Sequence, residues 1–257
     1  FTKFPVSLFY IRLEGYKNMK LSARLEKIVD LVGKDVRLAD IGTDHGYIPI
    51  ELLKSEKINY AILSDINKGP LENARKEIER QGLVNKTDLR LGSGLEVLDT
   101  NEVDQVIIAG MGGILISDLI EKKLDLCKKL DKMILQPMQA QEDLREYLNM
   151  RGFYIIEEHL VKEDFRIYEI MEVVYRGKVE EIDPIYYEIP IKLIEKKDPL
   201  LGTLLEKKLR ENRSILDKLD KSTQGQEENK SILDRKKIVE AKLNKLDQIY
   251  RELGGKA

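Results

Sequence analysis

Five short apolar runs between residues 36 and 137 restrict the fold more than any other feature: VRLADI (36–41), YAILSDI (60–66), TDLRLG (87–92), VDQVIIAG (103–110) and DKMILQP (131–137). Each closes at Gly, Asp or Pro, and helix-like stretches such as PLENARKEIERQG and GGILISDLIEKKLD lie between them. Strands that are apolar on both faces are covered by helices on both sides, as in a parallel sheet. The alternation therefore predicts an α/β, doubly wound sheet. GFYIIEEHLVKEDFRIYEIMEVVYRG (152–177) reads as two further strands around a polar turn at Lys162–Asp164, an antiparallel hairpin at one sheet edge. Ahead of the first strand, Leu21, Leu25, Ile28 and Leu31/Val32 recur at helical spacing, with Ser22 as cap and Gly33 as stop.

Past residue 176 the pattern changes. EEIDPIYYEIP, with two prolines, reads as part of a linker over 177–198. Leu201, Leu205, Leu209, Leu216 and Leu219, then Ile232, Val239, Leu243, Leu246, Tyr250 and Leu253, mark two amphipathic helices separated by STQGQEEN. They predict an αα-hairpin over 199–257, packed as an antiparallel coiled coil. Met19 reads as a natural beginning, leaving 1–18 as an upstream or added extension and 19–176 as the α/β domain. With 42% hydrophobic and 35% charged residues and a net charge of −2, the composition argues against disorder. The single cysteine, Cys127, excludes an intramolecular disulfide and suits a reducing, cytoplasmic setting. Two histidines and one cysteine argue against a zinc site, and no metal is expected. No apolar run reaches the roughly 20 residues of a membrane span. The opening FTKFPVSLFYIRLEG lacks the apolar core and cleavage site of a signal peptide.

The turn after the first strand, LADIGTDHGYIP (38–49), carries the chemistry. Gly42 lets the chain leave the strand, and Gly46 lets the next helix and a ligand approach the backbone. A dinucleotide site requires G-x-G-x-x-G, so that bare amides receive a pyrophosphate. Here that spacing is absent, and Asp40 and Asp44 face the same region. Two carboxylates repel a pyrophosphate and attract a sulfonium and an α-amino group, which favours S-adenosylmethionine over NAD. Asp65 closes the second strand about twenty residues later, where a carboxylate accepts ribose hydroxyls. LGSGLEVL follows the third strand, at the usual place for adenine contacts, and IIAGMGGILI the fourth. The latter is a bare-backbone loop without the Lys-Ser/Thr of a P-loop. The fifth strand ends ILQPMQ at the same rim.

DIGTDHGYIP, SDI, GSGLEVL, AGMGG and LQPMQ, in that order, resemble the bacterial tRNA (adenine-22-N1)-methyltransferase family, and the resemblance covers residues 19 to 253. It implies a class I, Rossmann-like S-adenosylmethionine methyltransferase with a C-terminal helical hairpin that binds tRNA. It further implies that Arg24 lies near the cofactor carboxylate and that Asp40, Gly42, Asp44 and His45 line the methionine moiety. Asp65 then serves the ribose, and Gly92, Ser93, Gly94 and Leu95 flank adenine. Leu21, Thr43, Gly46, Ile66, Ala109, Gly110, Met111 and Gly112 complete the cofactor lining. Gly110, Met111 and Gly112, with Gln136, Pro137 and Met138, form the expected transfer site. Ser93 stands where an acid is common, and Asp44 replaces the middle glycine of the general G-x-G-x-G pattern, a substitution the family shares.

Adenine N1 offers an in-plane lone pair, so transfer rests on positioning and charge stabilisation rather than on a strong base or a cysteine nucleophile. Gln136 is a candidate for the base edge, Pro137–Met138 for its face and Tyr168 for stacking. Plainer roles stand beside these. His45 and His159 suit structural hydrogen bonds, Asp40 a helix cap, and Arg24 a surface pair with Glu26 or Asp30. Gly110, Gly112 and Gly113 suit helix–sheet packing. The helical hairpin, with sixteen basic and twelve acidic residues over 192–253, also suits dimerisation, although a monomer is expected. Other functions that fit are methyl transfer to a small molecule or protein, or S-adenosylmethionine binding without turnover.

Overall fold

A computed structural model describes residues 21–223 and 230–255. The extension expected at 1–18 and the interhelical turn from residue 224 to 229 lie outside them. All five apolar runs form strands: β1 Leu38–Ile41, β2 Ala61–Asp65, β3 Thr87–Leu91, β4 Gln105–Met111 and β5 Lys132–Pro137. With β6 Phe153–Glu163 and β7 Arg166–Tyr175 they build one seven-stranded sheet, ordered β3-β2-β1-β4-β5-β7-β6. β1 to β5 run parallel, while β7 is antiparallel to both β5 and β6. This is the doubly wound sheet with an antiparallel edge hairpin. The hairpin turn falls later than expected: Lys162 and Glu163 still pair, with Ile167 and Arg166, so Asp164 and Phe165 form the loop. Asp164 adopts φ 51, and that left-handed step lets a two-residue loop close the ladder.

Side-chain alternation along the strands separates two cores. Ala39, Ile41, Val106, Ile108, Met133 and Leu135 face helices α4 Gly113–Lys122, α5 Leu124–Cys127 and α6 Gln141–Met150. Leu38, Leu63, Ile107 and Ile134 face α1 Ala23–Leu31, α2 Tyr47–Lys54 and α3 Lys68–Arg80. Cys127 is buried in the first core, where burial pushes its thiol up to about 12. Strand order reverses between β1 and β4, so a crevice opens at their carboxyl ends.

Beyond the sheet, the passage read as a linker carries α7 Ile185–Glu188 and α8 Ile191–Glu195, followed by α9 Leu201–Thr223 and α10 Lys230–Glu252. Tyr250 hydrogen-bonds Glu206 and Lys236 pairs with Asp220, which sets α9 and α10 antiparallel. A third core joins the root of this helical arm to the edge hairpin: Leu160 and Ile167 pack with Ile185, Ile189, Leu193, Leu201, Leu204, Leu205, Leu209 and Leu246. Buried charges reinforce the joint. Arg145 of α6 reaches Glu158 at 2.8 Å, Glu169 at 2.5 Å and the Tyr187 carbonyl at 2.8 Å. Lys208 of α9 bonds Glu142 at 3.0 Å and Glu188 at 3.3 Å, and Lys242 of α10 closes on Glu188. Among the described residues, no helix is long and apolar enough to cross a membrane.

Candidate active site

The β1–α2 turn is held by its own backbone. The amides of Gly42 and Thr43 both donate to the Ser64 carbonyl, at 2.8 and 2.9 Å, pinning the turn to β2. Gly42 (φ 78) and Gly46 (φ 69) take left-handed conformations, and Gly46 caps α2, whose first turn accommodates Pro49. Asp40 ends up 7% exposed, on the β1 face that also buries Leu38. Burial pushes its carboxyl up from 3.8 to about 6, while the neighbouring Thr43 hydroxyl pulls the other way. Asp44 is exposed, 3.4 Å from His45 Nε2, and the His45 ring stacks on Tyr47 with centroids 5.0 Å apart.

The ends of β2 to β5 share this rim. Asp65 Oδ1 accepts the Asn67 amide at 2.7 Å, which aims the carboxylate, and the Asp65 carbonyl ties down Gly92 at 3.0 Å. Ile66 beside it is exposed; Ser93 and Gly94 open a short 3-10 turn in which Leu95 is buried. In β4 an irregularity between Ala109 and Met111 lifts Gly110 into the open, at φ 80. Met111 folds back over Gly42, so a Cβ on residue 42 would lie 2.1 Å from the Met111 methyl carbon. The β4 and β5 loops are latched together: the Met138 amide donates to the Met111 carbonyl at 2.7 Å, and the Gly113 amide to the Gln139 carbonyl at 2.8 Å.

Gln136, at the same strand end, is fully buried, and its amide is engaged. Its Oε1 accepts Arg24 Nη1 at 2.7 Å, and its Nε2 donates to the Pro137 carbonyl at 3.0 Å. Arg24 thus reaches inward, its guanidinium 5.2 Å from the Tyr168 ring centre, rather than along the helix to Glu26 or Asp30. Pro137 is buried and Met138 is 40% exposed at the rim. Leu21 is buried at the foot of α1. His159 lies away from the rim, bonded to Glu172 at 2.9 Å.

These residues suit a ligand with a cationic end and a ribose. Asp40, Asp44 and Asp65 supply negative charge at the crevice, and bare Gly110, where a Cβ would meet nothing within 4 Å, leaves room for close approach. Ser64 Oγ and Arg24 Nε are buried without hydrogen-bond partners, and such groups mark places where a ligand completes the polar network. The sequence reading missed the flank of this site. A cavity of about 620 Å³ runs from Pro137 and Met138 past the β6–β7 turn to Lys207 and Arg210 of α9. The available signal was Phe165, an aromatic in a tight turn that ordinarily takes Gly, Asn or Asp.

Comparison with known proteins gives concordant results. A family model described as a methyltransferase domain matches residues 21–171. The tRNA (adenine(22)-N(1))-methyltransferase of Bacillus subtilis (strain 168) is 35% identical over 153 residues, which span 60% of this chain and 64% of that protein. The crystal structure of the B. subtilis m1A22 tRNA methyltransferase TrmK superposes with a TM-score of 0.81 at 26% identity, covering 90% of this chain and 99% of that one. Streptococcus pneumoniae Sp1610, solved in complex with S-adenosyl-L-methionine, gives a TM-score of 0.74 at 27% identity, covering 90% of this chain and 100% of that one.

Proposed function

The chain belongs to the methyltransferase domain family, and from that premise we propose that it methylates N1 of adenosine 22 in tRNA, as a cytoplasmic monomer using S-adenosyl-L-methionine. The observation that carries the reading is the placement of Asp40, Asp44 and Asp65 around a bare-glycine turn at the carboxyl ends of β1 and β2. The choice of acceptor is supported by the B. subtilis relative, itself a tRNA (adenine(22)-N(1))-methyltransferase.

Bound S-adenosyl-L-methionine supplies an electrophilic methyl group on a positively charged sulfur. Asp40 and Asp44 favour that charge and the amino group, and Asp65 receives the ribose hydroxyls. Gly110 and Gly112 admit the base to the methyl, and Pro137–Met138 bound its face. The base is extruded from the folded RNA to reach them, at a cost of a few kcal/mol. With the donor held there, the adenine N1 lone pair would form the new N–CH3 bond as the S–CH3 bond breaks, leaving neutral S-adenosylhomocysteine and a cationic methylated ring. Positioning is the main contribution of the protein to this step.

The direct test is transfer of labelled methyl to an unmodified tRNA transcript and to a second transcript carrying guanosine in place of that adenosine, with the product mapped by reverse-transcription arrest. Transfer to the first and not the second is expected. Equal labelling of both, or of neither, overturns the assignment.

Asp40 gives the site a pH signature. Its folded pKa, about 6, lies above the ordinary 3.8, so the folded chain holds this proton more tightly than the unfolded chain. The group's contribution to stability is therefore present at low pH and declines as pH rises from about 4 to about 6. Two pKa units correspond to about 3 kcal/mol. Melting of ligand-free protein across this range is expected to show the decline, and Asp40→Asn to remove it. A saturating cationic donor favours the ionised carboxyl, so its affinity is expected to rise over the same interval. A donor affinity flat from pH 5 to 7 would disprove the role given to Asp40.

A further inference from the structure

The loop of the β6–β7 hairpin contains a side chain that folding does not explain. Phe165 is 86% exposed, in a two-residue turn whose other member, Asp164, already supplies the left-handed step. Turn geometry asks for no aromatic here. The ring is backed on one face by the Arg166 guanidinium, 5.5 Å from its centre. It lines the 620 Å³ cavity together with Met138 and Tyr168. The described lining carries four cations, Lys162, Arg166, Lys207 and Arg210, against one acid, Asp164. A cavity of this size, with clustered cations and an exposed aromatic ring, matches the way proteins hold unpaired nucleotides: bases stack on rings and phosphates meet Lys and Arg. Pro137 and Met138 line this cavity as well as the transfer rim, so a strand held in it would lie next to the acceptor base.

We infer that Phe165 is a stacking platform for a nucleobase neighbouring the extruded adenosine, with Lys162, Arg166, Lys207 and Arg210 holding the adjoining phosphates. The inference rests on the RNA methyltransferase reading above and assigns it a substrate-gripping surface. Phe165→Ala is expected to lower kcat/KM for the tRNA transcript by about 5- to 150-fold, the range that stacking of one base on an aromatic side chain supports. Affinity for S-adenosylhomocysteine should be unchanged, and Phe165→Trp should retain activity. The chain has no tryptophan, so Phe165→Trp introduces a single indole whose emission reports the contact directly. Quenching on addition of tRNA is expected.

The outcomes separate cleanly. If wild-type protein neither binds nor methylates tRNA, the underlying reading falls, and this inference falls with it. If wild-type protein is active while Phe165→Ala keeps kcat/KM within twofold, the platform is wrong and the function stands. The platform is equally wrong if the indole of Phe165→Trp is unquenched by bound tRNA. If Phe165→Ala instead abolishes self-association in sedimentation without affecting RNA, the turn is a contact between copies of the chain and the stacking role is overturned.

Discussion

Exchange of Arg145 for Met is expected to destabilise the fold by about 3–5 kcal/mol, the usual cost of leaving a buried charge without its partner. The guanidinium is nearly sealed from water, its side chain 2% exposed between Glu158 at 5% and Glu169 at 2%. Glu169 Oε1 already lacks a hydrogen-bond partner, and the other cations that act on this pair, Lys208 and Lys196, direct their side-chain hydrogen bonds to Glu142, Glu188 and Glu157 instead. Burial pushes the Glu158 carboxyl above its ordinary value even with Arg145 beside it, and loss of the cation drives it further in that direction. An acid whose folded pKa is raised costs more stability as pH rises through that pKa, so the variant should be worse at pH 8 than at pH 5. Denaturant melts with an unchanged slope and a lowered midpoint would register the loss; at this size it corresponds to a Tm drop on the order of 10 °C. Converting Glu158 and Glu169 to Gln in the same chain should recover most of it, because a fully neutral cluster leaves no stranded charge. A deficit below about 1 kcal/mol for Arg145→Met would show that the cluster is wet or dispensable.

Gly113→Ala is expected to cost about a hundredfold in kcat/KM while S-adenosylhomocysteine affinity stays within a few-fold. A Cβ at residue 113 would stand 2.1 Å from the Ala140 carbonyl oxygen, 2.9 Å from its carbon and 3.1 Å from the Gln139 oxygen, all of them backbone atoms. No side chain can swing aside, so the start of α4 or the turn after β5 must shift by about an ångström, and misplacement of that size costs about 10² in rate. The shift also breaks the 2.8 Å bond between the Gly113 amide and the Gln139 carbonyl, and with it the register between the loop facing the donor and the loop facing the base. Gly202→Ala is the matched control, since a Cβ there meets nothing within 4 Å. Single-turnover rates for the two variants check the argument. A Gly113→Ala protein with wild-type turnover would mean that the loops tolerate displacement.

The parts of this molecule that could be read from sequence are those with a local signature. Four of the five strands stand out because burial on both faces leaves few polar positions before the strand ends, while the part-buried edge strand β3 shows instead as an apolar–polar alternation. Asp40 and Asp65 stood out for the same reason, as acids terminating apolar runs. Arg145 gave no such sign: its carboxylates lie 13 and 24 residues away, and Lys208 meets Glu142 across 66. Ion pairs at those separations have no periodicity. Gln136 reads as a rim residue because it stands near the end of the fifth run, yet the strand turns it inward, against Arg24 from 112 residues upstream. Leu204, fully buried in the third core, fell between the Leu201, Leu205 and Leu209 steps read as the helical stripe. It belongs to a core that combines edge-hairpin residues Leu160 and Ile167 with Leu246 of α10. The polar pair Lys162 and Glu163 makes the turn at Asp164–Phe165 read early from sequence, although an edge strand accepts charge without leaving the ladder.

The seat of the helical arm bears on how this chain can be dissected. Leu201, Leu204, Leu205 and Leu209 are almost wholly dry, and at about 1.5–3 kcal/mol each their shelter is comparable to the entire folding free energy of an ordinary domain. Severing the chain before them would strip cover from Leu160, Ile167, Ile189 and Leu193 and leave a sticky remnant instead of a smaller catalyst. Catalytic body and arm are thus one cooperative object. A chimaera that borrows its arm from a relative must import the socket residues of β6, β7, α7 and α8 along with it.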